Sequence, residues 1–338
     1  MMAPQNQSTR PTREESALGA LTGLALGDAL GMPTQSLSRT QIQQLYGRIE
    51  GLVDGGPDQP IAPGMPAGSI TDDTEQALLL AELLLEGSGA VDPHRFASAL
   101  IAWEEDMIRR GSLDLLGPST KAALEKLQSG VPVEETGRFG TTNGAAMRIA
   151  PVGIAHAPGQ GLLDAVVTAS QVTHRTGLGI SGAAAIAAAV SAAVDGADTD
   201  SALEAAVAAA TAGERLGNWV AGASIPARYQ SFRTPMRSVA PADRDAFLYD
   251  VVGTSVQSQE SVVAALLLVD LGRDEPFETL CLAASLGGDT DTVAAMAGAV
   301  LGALHGPRAF PLAAVEQVRD VNRLDLAPLA RRLLALRD

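Results

Sequence analysis

The chain has 338 residues, of which 46% are hydrophobic, so it can build one large globular core or two ordinary ones. Its 24 basic and 39 acidic residues give a net charge of −15, which repels duplex nucleic acid and anionic membranes. Its one cysteine, Cys281, excludes an intramolecular disulfide and, among apolar neighbours, is expected to be a core residue.

The first segment, residues 1–14, is polar and lacks the apolar stretch of a signal peptide. We therefore expect a disordered N-terminal tail and a cytoplasmic protein. The longest uncharged run, Thr176 to Val194, reaches only the lower limit of length for a membrane helix and consists mostly of Ala and Gly. A buried helix of a globular protein is the expected structure for this run, and no membrane partner is expected.

Apolar residues recur at helical spacing along most of the chain, whereas the alternation typical of strands is hard to find. The sequence therefore predicts an all-α fold, with one compact multi-helix domain over residues 15–338. The predicted helices cover 14–31, 72–87, 94–110, 118–129, 144–156, 161–171, 177–195, 200–213, 259–271, 276–285, 290–305, 310–321 and 325–336.

The side chains in these helices are small, and the connecting segments vary in regularity. Abundant Ala and Gly, with only 3% aromatic residues, predict helices that pack closely through small side chains. The least regular segments are 46–69, 137–144 and 231–244, which we expect to be surface loops that can carry function.

The first acidic motif, "SITDDTEQALLL" at 69–80, opens a Leu-rich helix with Thr71, Asp72, Asp73 and Thr74. A single Thr or Asp at a helix start can cap a free backbone N–H, and acidic residues in the first turn suit the helix dipole. Capping needs one such residue, however, and two neighbouring carboxylates exceed that need.

The second acidic motif, "GGDTDT" at 287–292, also places two carboxylates, Asp289 and Asp291, at a helix start. Gly287 and Gly288 before them allow other atoms to approach the backbone closely. If the two helix starts face each other, four carboxylates and several hydroxyls converge. Four carboxylates in one pocket repel one another, so either their pKa values rise or cations bind between them.

Oxygen ligands without His or Cys favour hard divalent ions, which indicates Mg²⁺ or Mn²⁺ rather than zinc. Two such ions about 3.5–4 Å apart can lower the pKa of a bound water and hold the oxygens of a sugar. The two motifs together therefore indicate a two-metal hydrolase, whereas neither motif alone is specific and the first, taken alone, is more typical of a helix cap.

Five segments, taken in order and spacing, resemble the ADP-ribosylglycohydrolase family. The resemblance covers nearly the whole chain after the tail. The segments are "GALTGLALGDALGMP" (19–33), "TDDT" (71–74), "TNGAAMR" (142–148), "THRT" (173–176) and "GGDTDTVAAMAGAVLGALHG" (287–306).

The resemblance implies an all-α domain with a dinuclear Mg²⁺ or Mn²⁺ centre that hydrolyses an N- or O-glycosidic bond at the anomeric carbon of an ADP-ribosyl group. By analogy, one metal is bound by Thr71, Asp72 and Asp73. The other is bound by Asp289 and Thr292, with Asp291 as the bridge. Asp72 and Asp291 are also candidates for proton transfer during catalysis.

The resemblance also implies a set of substrate-binding residues. The loop at Asn143, Gly144 and Ala145 is expected to direct backbone N–H groups at a phosphate or ribose oxygen. Further candidates are Gly288 at the acidic turn, Met147 after the loop, and His174, for which a structural role is equally expected.

The sequence departs from the family pattern at two positions. Relatives commonly have a glutamate where this chain has Gln35, and a neutral amide cannot accept a proton as a carboxylate does. Asp114, a candidate to protonate the ribose, is displaced by one residue from the family position. Either another group acts as the base, or the substrate differs from that of better-known members.

Three alternatives to the hydrolysis of an ADP-ribosylated substrate therefore stay open. The enzyme can act on a small N-riboside or nucleoside, as the changes at Gln35 and Asp114 suggest. The protein can be a non-catalytic, crystallin-like or binding protein on the same scaffold. Finally, both aspartate pairs can serve only as helix caps.

Overall fold

The computed structural model describes residues 10–112 and 116–337. Over these ranges the chain contains no β-strand, as the all-α prediction requires, and isolated bridges join Thr142 to Gln257 and Thr176 to Asn218. Short 3₁₀ turns occupy Met32–Thr34, Pro241–Asp243 and Pro307–Ala309, and a π-helical turn occupies Phe247–Val252. The α-helices are α1 (Arg13–Gly31), α2 (Arg39–Leu45), α3 (Asp72–Glu86), α4 (Pro93–Arg109), α5 (Pro118–Gln128), α6 (Val133–Thr136), α7 (Gly144–Met147), α8 (Ala150–Ala155), α9 (Gln160–His174), α10 (Gly177–Val194), α11 (Thr199–Gly213), α12 (Ile225–Ser238), α13 (Arg244–Ala246), α14 (Ser258–Leu271), α15 (Pro276–Ala284), α16 (Thr290–His305), α17 (Leu312–Asn322) and α18 (Leu326–Leu334).

Helices α1 and α16 pack antiparallel and unusually close. A Cβ atom built on Gly19, Gly23 or Gly27 would lie 2.0, 2.0 or 2.1 Å from a carbonyl oxygen of α16. At the end of this contact, a Cβ on Gly31 would lie 2.3 Å from Asp291 Cα. The expected close packing through small residues is thus confirmed, and it brings the C-terminal end of α1 against the N-terminal end of α16.

Helix α10 lies in the core. Among the described residues it is the helix long and apolar enough to cross a membrane, and 94% of that window is buried inside the structure. A buried core helix has the same length and composition, so α10 is weak evidence for a membrane span. Cys281 on α15 is also buried, as expected, and burial raises the pKa of its thiol to about 12.

Helix α12 replaces part of an expected loop. We expected an irregular segment over 231–244, but α12 covers its first half, so that expectation is wrong there. Ile225, Tyr229 and Met236 are buried at helical spacing and hold α12 on the core. Pro235 inside the helix and the polar residues between these anchors hide the helical pattern in the sequence.

The expected helix over 144–156 is two short helices, α7 and α8, separated by a turn at Arg148 and Ile149. Pro151 in the first turn of α8 has no N–H to continue the hydrogen-bonding of α7, and Arg148 turns into the core.

Helix α1 begins at Arg13, so it includes the last two residues of the segment 1–14 that we expected to be a tail. Thr12 caps the helix and forms a capping box with Glu15 in its first turn.

A buried carboxylate ties α11, α12 and α14 together. The side chain of Asp270 is 2% exposed and accepts hydrogen bonds from Arg233, Arg237 and Arg273, while Asp200 accepts from Arg233 and Arg273. Burial alone would raise the pKa of Asp270, but the three guanidinium groups outweigh it and hold the pKa at about 2. This cluster is a structural ion-pair network away from the acidic motifs.

Candidate active site

The two acidic helix starts meet, as the sequence predicts. The Asp73 side chain at the start of α3 accepts a hydrogen bond from Thr292 Oγ1 in the first turn of α16, at 3.1 Å. Thr71 caps α3, since its hydroxyl accepts from the N–H of Asp73. Asp289, at the cap position of α16, makes no capping bond with its side chain. The carboxylates therefore exceed what the caps use, which disfavours the interpretation that they are caps alone.

A fifth carboxylate, Asp28 of α1, was missed by the sequence analysis. Its side chain is fully buried and accepts hydrogen bonds from the backbone N–H and the hydroxyl of both Thr71 and Thr74, at 2.5–3.1 Å. Burial raises the pKa of Asp28 to about 6, although these hydrogen bonds oppose the rise. Asp28 thus fixes the start of α3. The signal was present, because Asp28 is the one charged residue between positions 17 and 37.

Like charges crowd around Asp73. Burial, followed by the charges of Asp291, Asp72, Asp28 and Asp289, raises the pKa of Asp73 well above its ordinary value. Carboxylates in this arrangement repel one another unless they bind protons or cations. The electrostatics of the described site therefore favour a positively charged ligand.

The predicted Asn143 loop reaches the same place. Asn143 donates from its side-chain amide to Asp289 Oδ2 at 2.5 Å and to Ser261 Oγ at 3.0 Å. Burial raises the pKa of Asp289, while the hydrogen bonds from Asn143 and Thr292 lower it. Asn143 therefore orients one of the carboxylates, and Gly144 follows it at the start of α7.

A cavity of about 280 Å³ opens where these elements meet. It brings together eight of the predicted site residues and also Thr142, Ile61 and Val256, which the sequence analysis did not select. Ile61 comes from the expected functional loop 46–69. The predicted residues that line the cavity are Gln35, Asp72, Asn143, Gly144, Met147, Asp289, Asp291 and Thr292.

Five predicted residues lie outside the cavity lining, namely Thr71, Asp73, Ala145, Gly288 and His174. Thr71 and Asp73 are buried behind it, at the start of α3. Ala145 is buried within α7 and also does not line the cavity. Gly288 holds the acidic turn in place, because it has a φ of +80° and pairs through its backbone with Ser36 and Leu37. Asp114 lies outside the described residues, so its predicted role stays a prediction.

Gln35 lies at the cavity wall and is 6% exposed. Its backbone N–H donates to Gly31 O at 3.0 Å, and its carbonyl accepts from Gln59 Nε2 at 2.8 Å. The side-chain Nε2 is buried and has no hydrogen-bond partner among the residues that the structure describes. A buried amide N–H without an acceptor costs roughly 1–3 kcal/mol, so a ligand oxygen that reached this group would remove that cost.

His174 is fully buried behind Gly144 and does not line the cavity. A Cβ on Gly144 would lie 2.9 Å from His174 Cε1, and the ring nitrogens contact the hydroxyls of Thr142 and Thr173 at 2.9 and 2.8 Å. Burial and the charge of Arg148 lower the pKa of His174 well below its ordinary value, so the ring is neutral. Its predicted contact with the substrate stays a prediction.

The comparisons with known proteins agree with the motifs. The sequence profile described as ADP-ribosylglycohydrolase matches residues 9–338. The chain belongs to the ADP-ribosylglycohydrolase family. This glycohydrolase is 36% identical to the uncharacterized protein YegU of Escherichia coli strain K12, over 96% of this chain and 98% of that protein.

Two further relatives extend the comparison. The chain is 30% identical to the ADP-ribosylarginine hydrolase Tri1 of Pseudomonas putida, over 90% of this chain and 74% of that protein. A solved structure, described as an ADP-ribosylglycohydrolase-related protein complex, superposes with a TM-score of 0.68 at 28% identity and covers 96% of this chain and 98% of that chain. The fold prediction is thus confirmed, and this family member is an enzyme that cleaves glycosidic bonds.

The family is generally metal-dependent, and the donors in this glycohydrolase suit a hard divalent ion. All are oxygens, and Asp73 Oδ1 is buried without a hydrogen-bond partner in the described part of the chain. Within residues 10–112 and 116–337, no three His, Cys, Asp or Glu side chains already form a group that could hold an ion. The chemistry of the donors fits, and a metal would have to draw the carboxylates together.

Proposed function

We propose that this glycohydrolase uses two Mg²⁺ or Mn²⁺ ions to hydrolyse the bond at the anomeric carbon of an ADP-ribosyl group, releasing ADP-ribose. The observation that carries the proposal is the meeting of two acidic helix starts at one cavity. The ions would be held by Thr71, Asp72, Asp73, Asp289, Asp291 and Thr292. When bound, they would lower the pKa of a water molecule and polarise the oxygens of the sugar.

The protein's own groups have separate tasks in this reaction. Asp72 and Asp291 line the cavity, so either carboxylate can take the proton of the attacking water. Asn143 keeps Asp289 in place, and Gly144, which has no side chain, lets a phosphate or ribose oxygen approach the backbone. Gln35 can donate to a substrate oxygen but cannot act as a base.

The substrate assignment is supported by relatives whose names refer to ADP-ribosyl hydrolysis, such as ADP-ribosylarginine hydrolase Tri1. We would measure release of ADP-ribose from ADP-ribosyl-arginine and ADP-ribosyl-serine, and release of free base from nucleosides. ADP-ribose release that stops with a chelator and returns with Mn²⁺ is the expected result. Cleavage of nucleosides alone would contradict the assignment.

A second candidate keeps the same chemistry with a smaller substrate, a simple N-riboside. Gln35 in the cavity wall favours it, because an amide N–H can donate to a neutral acceptor and an ionised glutamate cannot. The same assay separates the two candidates.

A further inference from the structure

Arg148 is a buried cation beside the acidic site. It follows α7, has no exposed surface, and packs its guanidinium over the Phe96 ring at 4.9 Å from the ring centre. Within the described ranges it forms no ion pair with a carboxylate. Burial lowers the pKa of Arg148 to about 9, and the charge of Asp72 opposes that shift. A buried cation is costly, so its retention here calls for an explanation.

The first set of bonds from Arg148 leads to Asp72. Its Nη1 donates to Gln76 Oε1 at 3.0 Å, and Gln76 Nε2 donates to Asp72 Oδ2 at 2.8 Å. Because arginine only donates, the amide oxygen of Gln76 must face it, and the amide NH₂ must then face Asp72. The orientation of Gln76, and with it one oxygen of Asp72, is therefore set by Arg148.

The second set of bonds leads to another residue that lines the cavity, Thr142. Arg148 Nη2 donates to Thr173 Oγ1 at 2.5 Å, and that hydroxyl contacts His174 Nδ1 at 2.8 Å. Thr173 Oγ1 accepts from Arg148 and keeps its own proton, which it can donate to Nδ1 of the neutral ring. In that tautomer His174 Nε2–H donates to Thr142 Oγ1, at 2.9 Å, and Thr142 lines the cavity beside Asn143.

We propose that Arg148 is a positioning residue that holds two parts of the active-site lining, Asp72 through Gln76 and Thr142 through Thr173 and His174. These bonds join the turn after α7 to α3 and α9, and each of the two sets continues from there to a residue that lines the cavity, Asp72 or Thr142. The inference deepens the proposed function, because it assigns the groups that place a proposed metal ligand. It also gives His174 a role that requires no contact with substrate.

The test compares Gln76→Leu and Arg148→Lys with Arg337→Met. Arg337 is a matched control, because its side chain is 2% exposed and binds Asp195 and the backbone carbonyls of Gly153 and His156, away from the site. Mn²⁺ binding is measured by titration calorimetry, unfolding by thermal melting, and the position of Asp72 from metal-free crystal structures.

We expect Gln76→Leu and Arg148→Lys to weaken Mn²⁺ binding roughly 10- to 100-fold. Arg337→Met should lose thermal stability but bind Mn²⁺ as the wild type does. Asp72 should leave its wild-type position in the Gln76→Leu crystal structure. Affinities within two-fold of wild type for both site variants, or an unmoved Asp72, would overturn the inference. If the wild type binds no Mn²⁺ while Asp72 moves in Gln76→Leu, the positioning role stands and the metal-dependent function fails.

Discussion

The close contact of α1 and α16 makes Gly27→Ala a sharp test of how the fold positions the site. A Cβ at this position would lie 2.1 Å from the carbonyl oxygen of Ala294 and 2.5 Å from its carbonyl carbon. Both atoms belong to the backbone of α16, so neither can rotate away as a side chain can. The two helices would have to separate by about 1 Å to reach ordinary van der Waals contact.

The expected loss of stability follows from two opposing effects. Overpacking a core costs roughly 1–3 kcal/mol, and the rigid obstacle here places the cost near 3. Alanine regains about 1 kcal/mol through its higher helix propensity. The net loss of about 2 kcal/mol lowers the melting temperature by roughly 3 °C in a chain of this size, because the entropy of unfolding is about 2.1 cal/mol/K per residue.

Thermal melting followed by circular dichroism measures this effect, with Gly161→Ala as the matched control. Gly161 also lies inside a helix, but nothing stands within 4 Å of a Cβ built on it. Gly161→Ala should melt at or above the wild-type temperature. Since Asp28 is next to Gly27 and fixes the start of α3, Gly27→Ala should also weaken Mn²⁺ binding. A Gly27→Ala protein that melts within 1 °C of the wild type would refute the packing argument.

Three more predictions concern single carboxylates and Gln35. Asp28→Asn replaces an acceptor of four hydrogen bonds, so the free energy of unfolding should fall by roughly 3 kcal/mol in urea titrations, and an unchanged value would exclude the role given to Asp28. Gln35→Glu adds a negative charge beside Asp72 and Asp291, so the free energy of unfolding of the metal-free protein should fall by on the order of 1 kcal/mol. Mn²⁺ should then raise the melting temperature of Gln35→Glu more than that of the wild type, and an equal rise in both proteins would contradict this. The pKa of Asp270, about 2, is below its ordinary value of 3.8, so the stability that its charge contributes is complete above about pH 4 and is lost as the pH falls through 2. Asp270→Asn should therefore lower the free energy of unfolding by roughly 3 kcal/mol at pH 7 and by less near pH 2, and an equal loss at both pH values would argue against this titration.

The acidic motifs could be predicted from the sequence because they contain more carboxylates than helix starts need. The sequence could say only that the carboxylates converge if the two helix starts face each other. In the structure this depends on the glycines of α1, which let α16 approach until Gly31 contacts Asp291. Asp28 was missed because a site shows in a sequence as a cluster of polar residues, and a single aspartate in an apolar helix forms no cluster. Its partners, Thr71 and Thr74, are more than 40 positions away.

Side-chain direction accounts for most of the remaining differences. His174 was selected by its motif, but spacing along the chain cannot tell that the ring points behind Gly144 and away from the cavity. Arg148 ends the motif at 142–148 but received no predicted role, because its bonds to Gln76 and Thr173 join three separate helical segments. Contacts of this kind depend on tertiary packing, which local patterns do not specify.

The central claim is that the acidic cavity hydrolyses ADP-ribosyl bonds with bound divalent ions. The most direct measurement is the release of ADP-ribose from ADP-ribosyl-arginine and ADP-ribosyl-serine by the wild type and by Asp291→Asn, first after chelation and then with Mn²⁺ restored. We predict that the wild type is inactive when chelated and active with Mn²⁺, and that Asp291→Asn is slower by on the order of 100-fold while it remains folded. Equal rates with and without chelator, or an Asp291→Asn variant as active as the wild type, would contradict the account.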